Sequence, residues 1–236
     1  MKDFSDDKRK QIIINVDLNF EQHKEDIMNA NALNVDLDTP IYRIYDYIRF
    51  LEMLKSQENV LVRPSFWEDP FENMLYNIKY YKMSNGNKVS LDVSDQRDAW
   101  YGQCWTDKED ECDGLWRVYS NNRTKRCVRV KSTVRKMFEP LFDTKSKFCT
   151  LQFFIGKVEY DEETQIKDLL ESVGFTLATD TANLCQAKSL LTKRKEFRYE
   201  SEVRILYNEI APNMHKTIHT YKINPNEAFD EVIIDP

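Results

Sequence analysis

Between residues 41 and 63 the apolar positions change period twice. Ile41-Tyr42-Arg43-Ile44-Tyr45 is β-branched and aromatic and predicts a short strand. Ile48, Leu51 and Leu54 recur at helical spacing and predict a helix over 47–55. Asn59-Val60-Leu61-Val62-Arg63 predicts a second strand, which Pro64 ends. A turn-rich run follows, Phe66-Trp67-Glu68-Asp69-Pro70-Phe71-Glu72, too mixed in acids, aromatics and proline for a helix interior or a central strand.

Further along, Trp100-Tyr101-Gly102-Gln103-Cys104-Trp105 reads as a strand, and Trp116 and Tyr119 fall on one face of a helical segment. Cys127-Val128-Arg129-Val130 alternates like a strand, and Ser132-Thr133 starts a helix through Phe138. Residues 151–160 predict a strand, 164–178 and 181–191 predict helices, and 197–207 predict the clearest strand of the chain. Val232-Ile233-Ile234 adds one last strand. Strands and helices mix without strict alternation, so the expected class is α+β. Residues 1–38, polar apart from the apolar patch 12–16 and a short possible helix over 20–33, read as an N-terminal arm. Thr39-Pro40 marks its end, and residues 39–236 read as a single domain.

The composition, 41% apolar and 12% aromatic over 236 residues, is globular and excludes a disordered tail, a collagen-like fibre and a coiled-coil rod. No run approaches the ~18 apolar residues that span a bilayer, and the polar start is not expected to be a signal peptide, so no membrane partner and a cytoplasmic location are expected. Five cysteines without CxxC spacing indicate neither a disulfide framework nor a zinc site, and no metal site is expected at His215 and His219. Five isolated glycines leave no GxGxxG and no phosphate-cradling loop, so any nucleotide must be held by side chains and ordinary loops. The chain carries a net charge of −6, yet residues 121–150 hold nine bases against two acids. That segment suits nucleic-acid contact or ordinary solvation.

The chemistry that stands out is on the last long strand. If residues 197–207 alternate with period two, Tyr199, Ser201, Val203, Ile205 and Tyr207 share a core-like face, while Glu200, Glu202, Arg204 and Leu206 share the other. Two carboxylates at i, i+2 raise each other's pKa and suit acid–base work. The same row also suits a solvated sheet face carrying a Glu–Arg pair.

Tyr42-Arg43, Arg63-Pro64-Ser65 with Asp69-Pro70-Phe71-Glu72, Cys104-Trp105, Trp116 with Tyr119, and Tyr199-Glu200-x-Glu202-x-Arg204 occur in that order. This set resembles a widespread prokaryotic family of unknown function related to the AbiGi abortive-infection proteins. Trp67-Glu68 departs from the Phe-Asn usual there. The family is similar to a distant branch of the ADP-ribosyltransferases, which implies a split pair of small mixed or antiparallel sheets with flanking helices and NAD in the cleft between them. The resemblance implies Glu202 and Glu200 as catalytic residues. It implies Tyr42, Arg43, Arg63, Trp116 and Tyr119 as NAD-binding residues, and a protein or nucleic-acid acceptor. It also implies a defence or toxin role. Two other readings of the residues stand beside it. One is a non-catalytic binding module on the same fold. The other is a metal-dependent nuclease built on Asp69 with Glu200 and Glu202.

Overall fold

A computed structural model describes residues 19–67, 69, 72, 80–85, 87–91, 94–110, 113–121, 124–169, 180–213 and 215–235. The apolar patch 12–16, Pro70, Phe71 and the second half of the helix expected over 164–178 lie outside these.

The chain opens with helix α1 (Lys24–Asn31) and the short strand β1 (Ala32–Leu33). Strand β2 (Pro40–Asp46) leads directly into α2 (Tyr47–Ser56), because the Asp46 carboxylate caps the helix, accepting from the amides of Ile48 at 2.9 Å and Arg49 at 3.3 Å. Gln57, in the left-handed region, ends it and turns the chain into β3 (Glu58–Val62). A hairpin of β4 (Tyr80–Ser84) and β5 (Asn87–Leu91) precedes β6 (Trp100–Thr106). Helix α3 (Asp113–Tyr119), strand β7 (Cys127–Thr133) and helix α4 (Val134–Phe138) follow, with Thr133 capping α4. After β8 (Phe153–Lys157), β9 (Glu159–Asp161), helix α5 (Leu184–Leu190) and β10 (Thr192–Arg194), the chain ends with β11 (Glu202–Asn208), β12 (Ile218–Lys222) and β13 (Glu231–Ile234).

The class is α+β. Among the described residues nine strands form one large sheet, in the order β1-β8-β11-β6-β2-β7-β13, with β3 and β12 as a second branch. Its pairs are antiparallel except for β1 on β8. The sheet forks at β6. Near its end, Thr106 pairs with Tyr42 of β2, while at its middle Gly102 pairs with Val62 of β3. Beyond those rungs β2 and β3 part company, each carrying its own partner strand.

Both faces of the centre are covered, which is why β11 reads buried almost throughout. Val203 and Ile205 pack on one face with Trp105, Ile41 and Val130, under Phe50 and Met53 of α2 and Met137 and Phe138 of α4. Leu206 packs on the other with Trp100 and Phe154, under Leu184 and Leu190 of α5. Ile27 (1% exposed) and Met28 (0%) lie in the first core, and β1 extends the sheet. From the segment ahead of Thr39-Pro40, Ile27, Met28 and Leu37 enter the first core and Leu33 the second. Burial of such side chains contributes about 1.5–3 kcal/mol each.

Three bases of the stretch 121–150 are drawn into ion pairs with other segments. Arg135 bonds Glu25 and Asp38, Lys136 pairs with Asp230, and Lys131 lies 3.6 Å from Glu109. No helix among the described residues is long and apolar enough to cross a membrane.

Candidate functional site

The alternation expected from residue 197 onward holds only from Glu202. Residues Lys195–Glu200 form a 3-10 helix, Ser201 turns through a left-handed conformation at φ 46°, and β11 starts at Glu202. The corner is tied to the end of β6. Thr106 Oγ1 donates to the Glu200 carbonyl at 2.6 Å, and the Asp107 amide donates to the Ser201 carbonyl at 3.2 Å. Glu200 and Glu202 meet because the chain bends, not because a strand repeats.

What they meet in is a buried charged cluster. Lys193 Nζ on β10 lies 2.5 Å from Glu202 Oε1, 2.6 Å from Glu200 Oε2 and 3.1 Å from Glu72 Oε1. Arg204 Nε donates to Glu202 Oε2 at 2.7 Å, its second arm pairs with Glu72, and its third donates to the Leu190 carbonyl at 2.7 Å. The indole of Trp67 covers the Arg204 guanidinium at 4.5 Å. Beside them Arg194 pairs with Asp69 at 3.1 Å. The Glu202 amide donates to the Tyr160 hydroxyl at 2.8 Å.

The two carboxylates are pushed in opposite directions. Burial and a hydrogen bond shared with Glu202 push Glu200 up to about 7, against the pull of Lys193. Burial also works to raise Glu202, but Arg204, the bond from Glu200 and Lys193 outweigh it and hold the group well below the usual carboxylate range. Burial works to lower Lys193, and the carboxylates of Glu202, Glu200 and Glu72 outweigh it and keep the ammonium charged.

Tyr42, Thr106 and Glu202 stand in one row across β2, β6 and β11. Tyr42 is 2% exposed and lies beneath the guanidinium of Arg129, 4.2 Å from its ring centroid. Arg43 sits in the fork itself. It donates to the Cys104 carbonyl and stacks over Tyr45 at 5.0 Å, and its Nε is buried with no hydrogen-bond partner. Its charge is felt by Tyr45 and Tyr221 on the core side and by Cys104 and Tyr119 on the other. Tyr119, at the end of α3, is 52% exposed. Desolvation of its hydroxyl raises its pKa, Arg43 lowers it, and Glu200 and Glu202 add to the rise. Burial pushes the Cys104 thiol up to about 12, with Glu202 adding to it, so it is not a thiolate nucleophile.

The charges of Arg43, Glu200 and Glu202 all reach the Tyr119 hydroxyl, while Arg43 lies with Tyr45 on one face of β2 and Tyr42 stands in the Glu202 row on the other. The structure does not bring Arg63 or an exposed Trp116 to them. Trp116 is 4% exposed and part of the packing. Arg63, also buried, donates to the Asn213 carbonyl at 2.6 Å and reaches the Tyr101 hydroxyl at 3.5 Å. Tyr101 and Thr106 are five residues apart on β6, about 17 Å along the strand, so Arg63 serves a different cluster, with Glu209, Lys216 and His219. The His219 ring lies tilted against Tyr207, centroids 4.0 Å apart, and burial, with the Lys216 charge beside it, lowers its pKa to about 4. Among the described residues no group of three or more His, Cys, Asp and Glu is arranged to hold a metal ion, and Lys193 stands where three carboxylates converge.

Sequence reasoning missed Lys193, and took Glu72 for a turn residue. Glu72 had a signal, an acid among aromatics beside a proline. Lys193 had none, since Thr192-Lys193-Arg194-Lys195 reads as a solvated basic run.

Neither the curated proteins nor the solved structures include a match to this chain. Residues 115–205 match a family described as protein of unknown function (DUF2971), a stretch that holds Trp116, Tyr119, Lys193, Glu200, Glu202 and Arg204 and leaves Tyr42, Arg43, Arg63 and Glu72 outside it.

Proposed function

We propose that this chain is an NAD-directed mono-ADP-ribosyltransferase-like protein that modifies a protein or nucleic-acid acceptor, in a defence or toxin role like that of the abortive-infection proteins its motifs resemble. The observation that carries the reading is convergence. Arg43 and the Glu200–Glu202 pair, remote in the chain from Tyr119 and from each other, all act electrostatically on the half-exposed Tyr119 ring, and Arg43 is anchored to β6 at the fork.

NAD would supply an activated nicotinamide–ribose bond, whose cleavage develops positive charge on the ribose. Glu202, held ionised, provides the anion for that charge. Glu200, poised near neutrality, takes a proton from the acceptor. A pair of carboxylates driven apart in pKa by their surroundings is the arrangement such chemistry uses. The orphaned Nε of Arg43 fits a phosphate or ribose oxygen, and Tyr119 offers a face to a planar ring.

The test is incubation with NAD labelled in its ADP-ribose half, following nicotinamide release and label on added protein, RNA and DNA. The wild type should release nicotinamide, Glu200→Gln should slow transfer of label to the acceptor about 100-fold or more, and Tyr119→Ala should raise KM. Absence of release and of label in the wild type sinks the reading.

One observation favours a second reading, a non-catalytic binding module on the same fold. Glu202 is 5% exposed and both its oxygens are in ion pairs. Unchanged NAD in the assay, together with saturable NAD binding that Tyr119→Ala weakens, would select it.

A further inference from the structure

We infer that Lys193 is the positioning residue that sets the charge state of the Glu200–Glu202 pair, holding Glu202 as the fixed anion and leaving Glu200 as the group that exchanges a proton. The pair's catalytic use rests on the function proposed above; the charge relation among these residues does not.

The geometry carries the assignment. Lys193 Nζ touches one oxygen of each of three carboxylates, at 2.5, 2.6 and 3.1 Å, and its side chain is 8% exposed. One face of the ammonium is closed by the Phe197 ring, whose centroid is 4.6 Å away. Charges then decide where the proton sits. Glu72 and Glu202 are anions, and Lys193 and Arg204 are cations, so the cluster is neutral when Glu200 carries a proton. Ionising Glu200 leaves one uncompensated negative charge in a largely buried place. Of the two carboxylates, Glu202 is bracketed by both cations, whereas Glu200 touches only Lys193 and is the more exposed, 24% against 7% of the side chain. The proton therefore belongs to Glu200. Tyr160 on β9, Tyr199 beside the pair and Tyr119 on α3 also lie within its electrostatic reach, and their pKa values are raised, so all three are neutral near pH 7; the Lys108 ammonium bonds the Tyr199 carbonyl next to the pair at 2.7 Å.

Removing Lys193 makes the cluster one unit more negative in either state, so the pair must hold its proton to higher pH. Arg204 alone cannot reproduce the effect, since its three arms are already committed to Glu202, Glu72 and the Leu190 carbonyl.

The experiment is a pH titration of carboxyl carbons in protein labelled with 13C-glutamate, with Glu200 identified by its loss in Glu200→Gln. In the wild type Glu200 should titrate with a midpoint near 7. In Lys193→Met the midpoint should rise by about one unit or more, and in Lys193→Arg it should stay close to the wild-type value. Where Lys193→Met does not fold, Lys193→Gln removes the charge while keeping a donor, and the Nζ nitrogen of the wild type supplies the complementary reading. Its 15N shift should show no titration through pH 10, whereas deprotonation in that range overturns the assignment. A Glu200 midpoint in the ordinary carboxylate range, or one unmoved in the folded neutral variant, likewise overturns it. The two claims fail separately. A Lys193-dependent midpoint with no nicotinamide release rejects the enzymatic reading and keeps this one. Transfer of label to the acceptor whose pH profile is the same in Lys193→Met rejects this one and keeps the enzymatic reading.

Discussion

Arg43 on β2 donates a hydrogen bond to the backbone carbonyl of Cys104 on β6, two residues before Thr106, the last residue at which those strands pair. In a continuous sheet that carbonyl would face a backbone amide of β2. Where the sheet forks, the guanidinium takes the amide's place, and one arginine both closes the gap and carries a positive charge to its floor. Arg43→Met should therefore cost about 1–3 kcal/mol, the desolvation of an unsatisfied buried acceptor, read as a lower urea midpoint at unchanged slope. Arg43→Lys should recover part of that stability but not NAD affinity, because an ammonium lacks the planar set of donors. Equal NAD affinity in Arg43→Lys and the wild type would remove Arg43 from the ligand site.

Glu202 has a heavier structural duty than a carboxylate that waits only for a substrate. It neutralises Lys193 and Arg204 and is itself 5% exposed. Glu202→Gln should destabilise the fold by about 3–5 kcal/mol, the usual cost of stripping the partner from buried charges. Thermal unfolding followed by circular dichroism checks this. A variant with the wild-type Tm would mean that the two cations find other partners. The same reasoning makes Glu200→Gln the cleaner probe of activity, since Glu200 contacts one cation and is partly solvated.

Local pattern carried most of the elements. The strand at Ile41–Tyr45, the helix at Tyr47, the Thr133 cap and the closing strand at Val232 all follow from period and capping chemistry, and all are present. The forked sheet and the charged cluster were less legible, because both depend on pairings between distant strands. Ser201 shows why. A serine in a left-handed conformation has no sequence signature, yet it converts an apparent eleven-residue strand into a turn plus β11 and rotates Glu200 toward Lys193. Arg63 was misplaced for the opposite reason. Its motif was in order along the chain, but the second branch of the fork carries it to Tyr101 and Asn213. Leu33 and Gly156 tie the apparent arm to the sheet, a parallel rung that no local period announces.

Gly102 links the fork to the cluster through space. A Cβ there would lie 2.7 Å from the Trp67 ring and 3.1 Å from Leu206. Trp67 is also the ring that covers Arg204. Gly102→Ala should therefore displace the indole from the guanidinium, costing about 1–3 kcal/mol in overpacking and changing tryptophan fluorescence. Gly102→Ala in a Trp67→Leu background should cost less, because the smaller side chain can yield. Additive losses in the double variant would show that the crowding lies elsewhere.

The shifted pKa of Glu200 makes stability depend on pH in a direction opposite to that of most paired carboxylates. Its folded-state value, about 7, lies above the ordinary value of 4.5, so between those limits the folded protein holds a proton that the unfolded chain releases. Stability from this group is present below pH 4.5 and is lost as pH rises toward 7. Glu202 acts the other way, since its folded value is depressed; its contribution is in place above the ordinary carboxylate range and is lost as pH falls through and below it. Between pH 5 and 8 His219, whose folded value is lowered to about 4, adds a slope of the opposite sign up to its ordinary value of 6.5, so the Glu200 slope is read as the difference between the wild type and Glu200→Gln. It should amount to about 1–2 kcal/mol after allowing for the solvent that reaches its side chain. Glu200→Gln keeps the shape and removes the ionisation, so its urea unfolding free energy should gain on the wild type as pH rises through this range and should match or exceed it at pH 8. Parallel wild-type and Glu200→Gln curves over pH 5–8 would place the Glu200 proton release outside that window and would return the pair to an ordinary, fully ionised ion-pair network.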